Sequence, residues 1–124
     1  MASGRFHAIV VDPQSYAYDR LRESGGDQST VRVLDTGRAA LQILAGTAIH
    51  AWIINVRLPD MSGFELYDIL HPRHTAARFV LVGDQYHSDD ERRARACGVA
   101  AYVCKPPQRW WLDRHQPINP QHVV

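Results

Sequence analysis

The chain is poor in cysteine, has no long apolar run and carries almost no net charge, and each shortage removes a class of explanation. Two cysteines, Cys97 and Cys104, allow at most one bridge, too few for a disulfide framework or a cysteine-based zinc site. Both are read as reduced, small apolar residues. No segment approaches the roughly 20 apolar residues of a membrane span, and the opening "MASGRFHAIVVD" lacks the apolar core of a secretory signal, so a cytoplasmic location is expected. A formal net charge of +1 supplies no basic field that would point to nucleic acid. Internal repeats and low-complexity blocks are also missing.

What is present is a regular alternation. With 124 residues and 45% hydrophobic composition, the chain suits one domain with a single core. Strand-length apolar runs recur at "FHAIVVD", "TVRVLD", "HAWIIN", "RFVLVG" and "AAYVC", several of them almost continuously hydrophobic, as strands buried on both faces are. Between them, "SYAYDRLRES" places Ala17 and Leu21 one helical turn apart, and "TGRAALQILAG" stacks Leu41, Leu44 and Ala45 before Gly46. "SGFELYDILH" opens with Ser62 and Glu65 in capping-box spacing and presents Leu66, Ile69 and Leu70 as a buried stripe. "SDDERRARACG" sets Asp89 against Arg93 and Glu91 against Arg95 on a solvated helix face. Strict β-α alternation predicts an α/β domain of flavodoxin-like, three-layer form: a parallel sheet in the order 2-1-3-4-5 with helices on both faces. The last helix should be short, because "PPQRWWLDRHQP" leaves room for about two turns before Pro117. The domain is therefore expected over residues 1–116, with residues 117–124 a tail or cut linker.

In such sheets the functional crevice lies beyond the carboxyl ends of the strands. The candidates there are Asp12, Asn55, Gly83, Asp84 and Lys105. The segments "VVDPQ", "NVRLPDMSG", "LVGD" and "AAYVCKPP" fall in an order and spacing that resembles a bacterial response-regulator receiver domain of the CheY-like kind, over about residues 6–112. The resemblance implies a central strand ending in a phosphoacceptor aspartate, assisted by Mg²⁺, two acidic residues after the first strand, a hydroxyl residue after the fourth and a lysine after the fifth. Asn55 stands at the acceptor position, Asp12 is followed by Pro13 in place of a second acid, and Gly83 replaces the hydroxyl residue. Lys105 with Pro106, the turn from Pro59 to Gly63 and an aromatic at Tyr102 remain.

An amide is a poor nucleophile toward phosphorus, so ordinary phosphotransfer is expected to fail. One carboxylate, an amide oxygen and the Arg57 carbonyl make a poor Mg²⁺ site, so no cofactor is expected. The Arg57 side chain is a candidate for the charge a metal would bring. The resulting expectation is a non-enzymatic pseudo-receiver of two-component signalling that binds protein partners, a kinase, an output domain or a second copy, through the face built from the fourth helix, fifth strand and fifth helix. Phosphorylation at another carboxylate, Asp60 or Asp84, and a small-molecule-binding flavodoxin-like domain are the alternatives. Asp12 followed by Pro13 also fits a plain helix cap, or a partner for Lys105, which can pair with Asp12, Asp84 or both. Asn55 also fits a hydrogen-bonding loop anchor. His71 and His74 are read as an exposed helix end, too few for a metal site. Of Trp110 and Trp111, one should pack on the sheet and the other mark an interface.

Overall fold

Successive residues of a strand point to opposite faces, so the apolar runs divide into two sets. In the computed structural model, which describes residues 6–23 and 29–112, this division builds two cores. Ile9, Val11, Trp52, Ile54, Phe79 and Leu81 form one, and Val10, Ile53, Val80, Val82, Ala101 and Val103 form the other. The strands are β1 (Phe6–Val11), β2 (Ser29–Leu34), β3 (Ala51–Asn55), β4 (Arg78–Gly83) and β5 (Ala101–Cys104). They pair in parallel in the order β2-β1-β3-β4-β5, with β3 buried along its whole length. The expected tail over residues 117–124 and the boundary at residue 116 lie outside the described residues.

Among the described residues four helices join the strands: α1 (Asp19–Glu23), α2 (Gly37–Leu41), α3 (Gly63–Leu70) and α4 (Ser88–Cys97). A 3-10 turn, Ser15–Tyr18, precedes α1 and tightens its register. The turn brings Tyr18 inward, and with Leu21 of α1, three residues on, it forms the buried pair, while Ala17 is only half-buried, unlike the stripe expected from sequence. Helix α2 is shorter than its pattern. Gln42 already caps it with an N–H that bonds back to Ala39, and Leu44, expected inside, is 76% exposed.

Helix α3 starts as its sequence requires. Ser62 Oγ accepts the Phe64 N–H at 3.0 Å, and Glu65 accepts the Ser62 N–H at 3.0 Å. Leu66, Tyr67 and Leu70 face inward, whereas Ile69, expected on that stripe, flanks it at 38% exposure. Helix α4 ends at Gly98, whose φ of 78° is the left-handed cap that glycine adopts without strain. Its expected i,i+4 ion pairs give way to others: Asp89 bonds Arg92, Glu91 accepts from Tyr86, and the Arg93 guanidinium lies 4.4 Å from the Phe64 ring centre. His71 is exposed as expected. His74 is not: it is 5% exposed and packs 5.2 Å from the Trp52 ring, drawn in by that apolar neighbour. Of the expected final helix, the described residues include one 3-10 turn, Arg109–Leu112, with Trp111 buried and Trp110 half-buried, and the rest of that segment lies outside them. Cys97 and Cys104 are both free thiols.

The β3–α3 connection is the tightest point. A Cβ on Gly63 would sit 2.1 Å from the Asn55 carbonyl oxygen, so only glycine lets the helix start this close to the end of β3. Gly63→Ala should therefore destabilise the fold by about 1–3 kcal/mol through forced backbone displacement, read as a lower urea midpoint.

Candidate functional site

Four adjacent strands deliver one residue each to the carboxyl edge of the sheet. Asp12 follows β1, Asn55 ends β3, Asp84 follows β4 and Lys105 follows β5. The backbone fixes two of them directly: the Asp12 N–H bonds the Leu34 carbonyl at 2.8 Å and the Lys105 N–H bonds the Gly83 carbonyl at 3.1 Å.

Their side chains close into one network. Lys105 Nζ lies 3.0 Å from Asp12 Oδ2 and 2.8 Å from Asp84 Oδ1. The Asn55 amide Nδ2 donates to the same two oxygens, at 3.1 and 3.0 Å. Its Oδ1 accepts the Arg57 backbone N–H at 2.8 Å, which anchors the loop and fixes which way the amide faces. Lys105 also donates to Gln14 Oε1 at 2.7 Å. Asp12 is wholly buried and Lys105 nearly so, with 12% of its side chain exposed. A buried carboxylate persists only when paired and hydrogen-bonded, and here an ammonium, an amide, the Tyr18 hydroxyl at 2.8 Å and the Gln14 N–H at 2.9 Å all reach it.

The protonation equilibria follow from these contacts. The Lys105 hydrogen bond, with help from Asn55, holds the Asp84 carboxyl below its usual range despite partial burial. Burial, reinforced by the Asp12 charge, drives the Tyr18 hydroxyl far above the ordinary tyrosine value, so it acts as a neutral donor.

Several candidates sit differently from expectation. Asp12 is not a helix N-cap: its Oδ1 makes an Asx turn with the Gln14 N–H, and Gln14 itself precedes the 3-10 turn, leaving Pro13 exposed on the loop. The Arg57 side chain does not enter the network. It reaches Asp90 of α4 at 3.0 Å, because Lys105 already holds the position between the carboxylates. At Gly83 a Cβ would stand 2.8 Å from the Tyr102 hydroxyl, so the missing side chain leaves the space that the tyrosine fills. That hydroxyl accepts the His87 N–H at 3.2 Å, and burial pushes its pKa up to about 12.

Two network members, Tyr18 and Gln14, and the role of Asp60 lie outside the expected site. Tyr18 and Gln14 lack any sequence signal beyond nearness to Asp12. Asp60 binds the start of α2, its two oxygens accepting the Gly37 and Arg38 N–H groups at 2.9 and 2.8 Å, and these bonds lower its pKa. No sequence cue joins Asp60 to these groups, which lie 23 and 22 positions away along the chain.

Because the folded pKa of Asp84 and of Asp60 lies below the unfolded value of about 3.9, their stabilisation is complete above that value. It is lost as pH falls through the folded pKa. Lys105→Met strands the buried Asp12 charge. It should cost about 3 kcal/mol at neutral pH and flatten the loss of stability on acidification, both measured by urea unfolding across pH.

The chain matches the response regulator receiver domain model over residues 9–113. No curated protein gives a significant sequence match. Among solved structures it is similar to the response regulator DrrB of Thermotoga maritima, an OmpR/PhoB homologue, at 22% identity and TM-score 0.71, covering 85% of this chain and 48%, about half, of that one. It is similar to a CheY-like receiver domain protein of Methanospirillum hungatei at 20% identity and TM-score 0.73, covering 85% of each chain. The non-phosphorylated HemR receiver domain of Leptospira biflexa matches at 18% identity and TM-score 0.75, over 93% of this chain and all of that one. Sheet order, strand-end network and family match converge, and the chain belongs to the response regulator receiver domain family.

Proposed function

We propose that this receiver domain is a pseudo-receiver: a non-enzymatic module that signals through protein contacts without aspartyl phosphorylation. The observation that carries the reading is the double use of Asp12 and Asp84, each bonded to both the Lys105 ammonium and the Asn55 amide. The internal ammonium supplies the positive charge that a metal ion would otherwise bring to these carboxylates.

The donor set does not fit Mg²⁺. A hard cation needs oxygen lone pairs converging on it, whereas the Asn55 N–H₂ points at both carboxylates and its oxygen is taken by the Arg57 N–H. Asn55 lacks the anionic oxygen that would attack phosphorus. The other nearby carboxylates are engaged, Asp84 with Lys105 and Asp60 with the α2 backbone, which weighs against a displaced acceptor. Partners such as a kinase, an output domain or a second copy would dock on the face of α4, β5 and the C-terminal 3-10 turn, where Tyr86 is 58% exposed.

Incubation with acetyl phosphate and Mg²⁺ should leave the intact mass unchanged; gain of one phosphoryl group, mapped to any carboxylate, would contradict the proposal. Asn55→Asp sets a third carboxylate against Asp12 and Asp84. Like charges there should lower stability by about 1–3 kcal/mol without metal, and added Mg²⁺ should restore the melting temperature. Unaltered stability in both conditions would show that Asn55 is not what closes the pocket to metal.

A further inference from the structure

The network has a branch that the receiver chemistry does not require. Tyr18 is fully buried, yet carries a hydroxyl, and a buried hydroxyl costs stability unless bonded. Phenylalanine would fill the same apolar space. Here the hydroxyl donates to Asp12 Oδ2 at 2.8 Å, the same oxygen that Lys105 and Asn55 contact. On its other side the Tyr18 ring meets Trp111, with centroids 6.5 Å apart and planes tilted by 57°, within the range of favourable aromatic pairs. Trp111 is 1% exposed and sits in the last described turn, Arg109–Leu112, whose backbone is tied to the sheet by the Arg78 guanidinium donating to the Trp111 carbonyl at 3.2 Å.

We propose that Tyr18 is a positioning residue that couples the strand-end charge network to the Trp111 turn, so that a change at Lys105 or Asn55 is transmitted through the second core to the last described turn of the fold. The physical basis is short and contiguous: an oxygen shared by three donors, one hydroxyl, one ring and one indole. If Lys105 is withdrawn or a charge is added at Asn55, Asp12 Oδ2 must rebalance its remaining donors. Tyr18 is the donor that cannot move without displacing a packed ring. The route runs away from Tyr102 and α4, which lie on the opposite core. It gives the pocket a second outlet, on the face closed by Trp111. The inference deepens the proposed function but rests on the ion network rather than on the absence of phosphotransfer, so a mass spectrum can refute one while an indole spectrum refutes the other.

The test is a double-mutant cycle read at the tryptophan indole N–H resonances, assigned with Trp52→Phe, Trp110→Phe and Trp111→Phe. Lys105→Gln, and independently Asn55→Asp, should move the Trp111 resonance in the protein with Tyr18 and leave it in place in Tyr18→Phe. The Trp52 resonance, in the other core, should respond alike in both backgrounds. Equal movement of Trp111 with and without the hydroxyl would overturn the proposal. Coupling is reciprocal, which supplies a measurement independent of Tyr18→Phe. Trp111→Phe alone should shift the Asn55 side-chain amide resonances, and unmoved amides would likewise overturn it.

Discussion

The ion pair between Lys105 and the buried Asp12 is the constraint on which the rest of the strand-end structure depends. Asp12 has no exposed surface, so its charge must be answered from within the fold. Every neighbour is arranged to do so: the Asn55 amide faces inward, the Gln14 N–H closes a turn, and Tyr18 spends its hydroxyl there. The half-exposed Asp84 completes the geometry from the other side of the ammonium. One lysine thus fastens the ends of β1, β4 and β5 together, while the asparagine of β3 fills the remaining gap.

The loops around this network take their shape from the same economy of space. Gly63 lets α3 begin against the Asn55 carbonyl, and Asp60 uses the intervening turn to cap α2. Gly83 leaves room for the Tyr102 hydroxyl, which in turn holds the His87 N–H at the start of α4. Arg57, displaced from the pocket by Lys105, ties the β3–α3 loop to Asp90. The two cores then give the network two neighbours, Tyr102 and α4 on one side, Tyr18 and Trp111 on the other.

Much of this was legible in the sequence, and the remainder was hidden for identifiable reasons. Strand number, parallel order and the strand-end residues follow from buried apolar runs alternating with helical segments, because both faces of the sheet must be covered. The Ser62–Glu65 cap and the pairing of Lys105 with the acids were also readable. Leu44 and Ile69 were misplaced, since a periodic pattern does not reveal that α2 stops after Leu41 or how wide the buried stripe of α3 is. Tyr18 was hidden by a 3-10 turn, which shifts the buried register from the α-helical one. Arg57 points elsewhere because Lys105, from a strand far along the chain, already pairs with both carboxylates and Asp90 offers Arg57 a partner of its own. Asp60 illustrates the same limit: its partners, Gly37 and Arg38, are distant in sequence and close only in the folded protein.

On the proposed reading, an internal lysine and an amide hold the pocket in one state and leave no place for metal or phosphate. A backbone amide NMR titration with Mg²⁺ and then beryllofluoride, followed at Asp12, Asn55, Gly83 and Lys105, tests it most directly. Unmoved resonances at all four positions are the expected result. Saturable shifts there, spreading to Tyr102, would mean that the pocket still binds the phosphoryl mimic and switches, and that the Lys105 network yields to it.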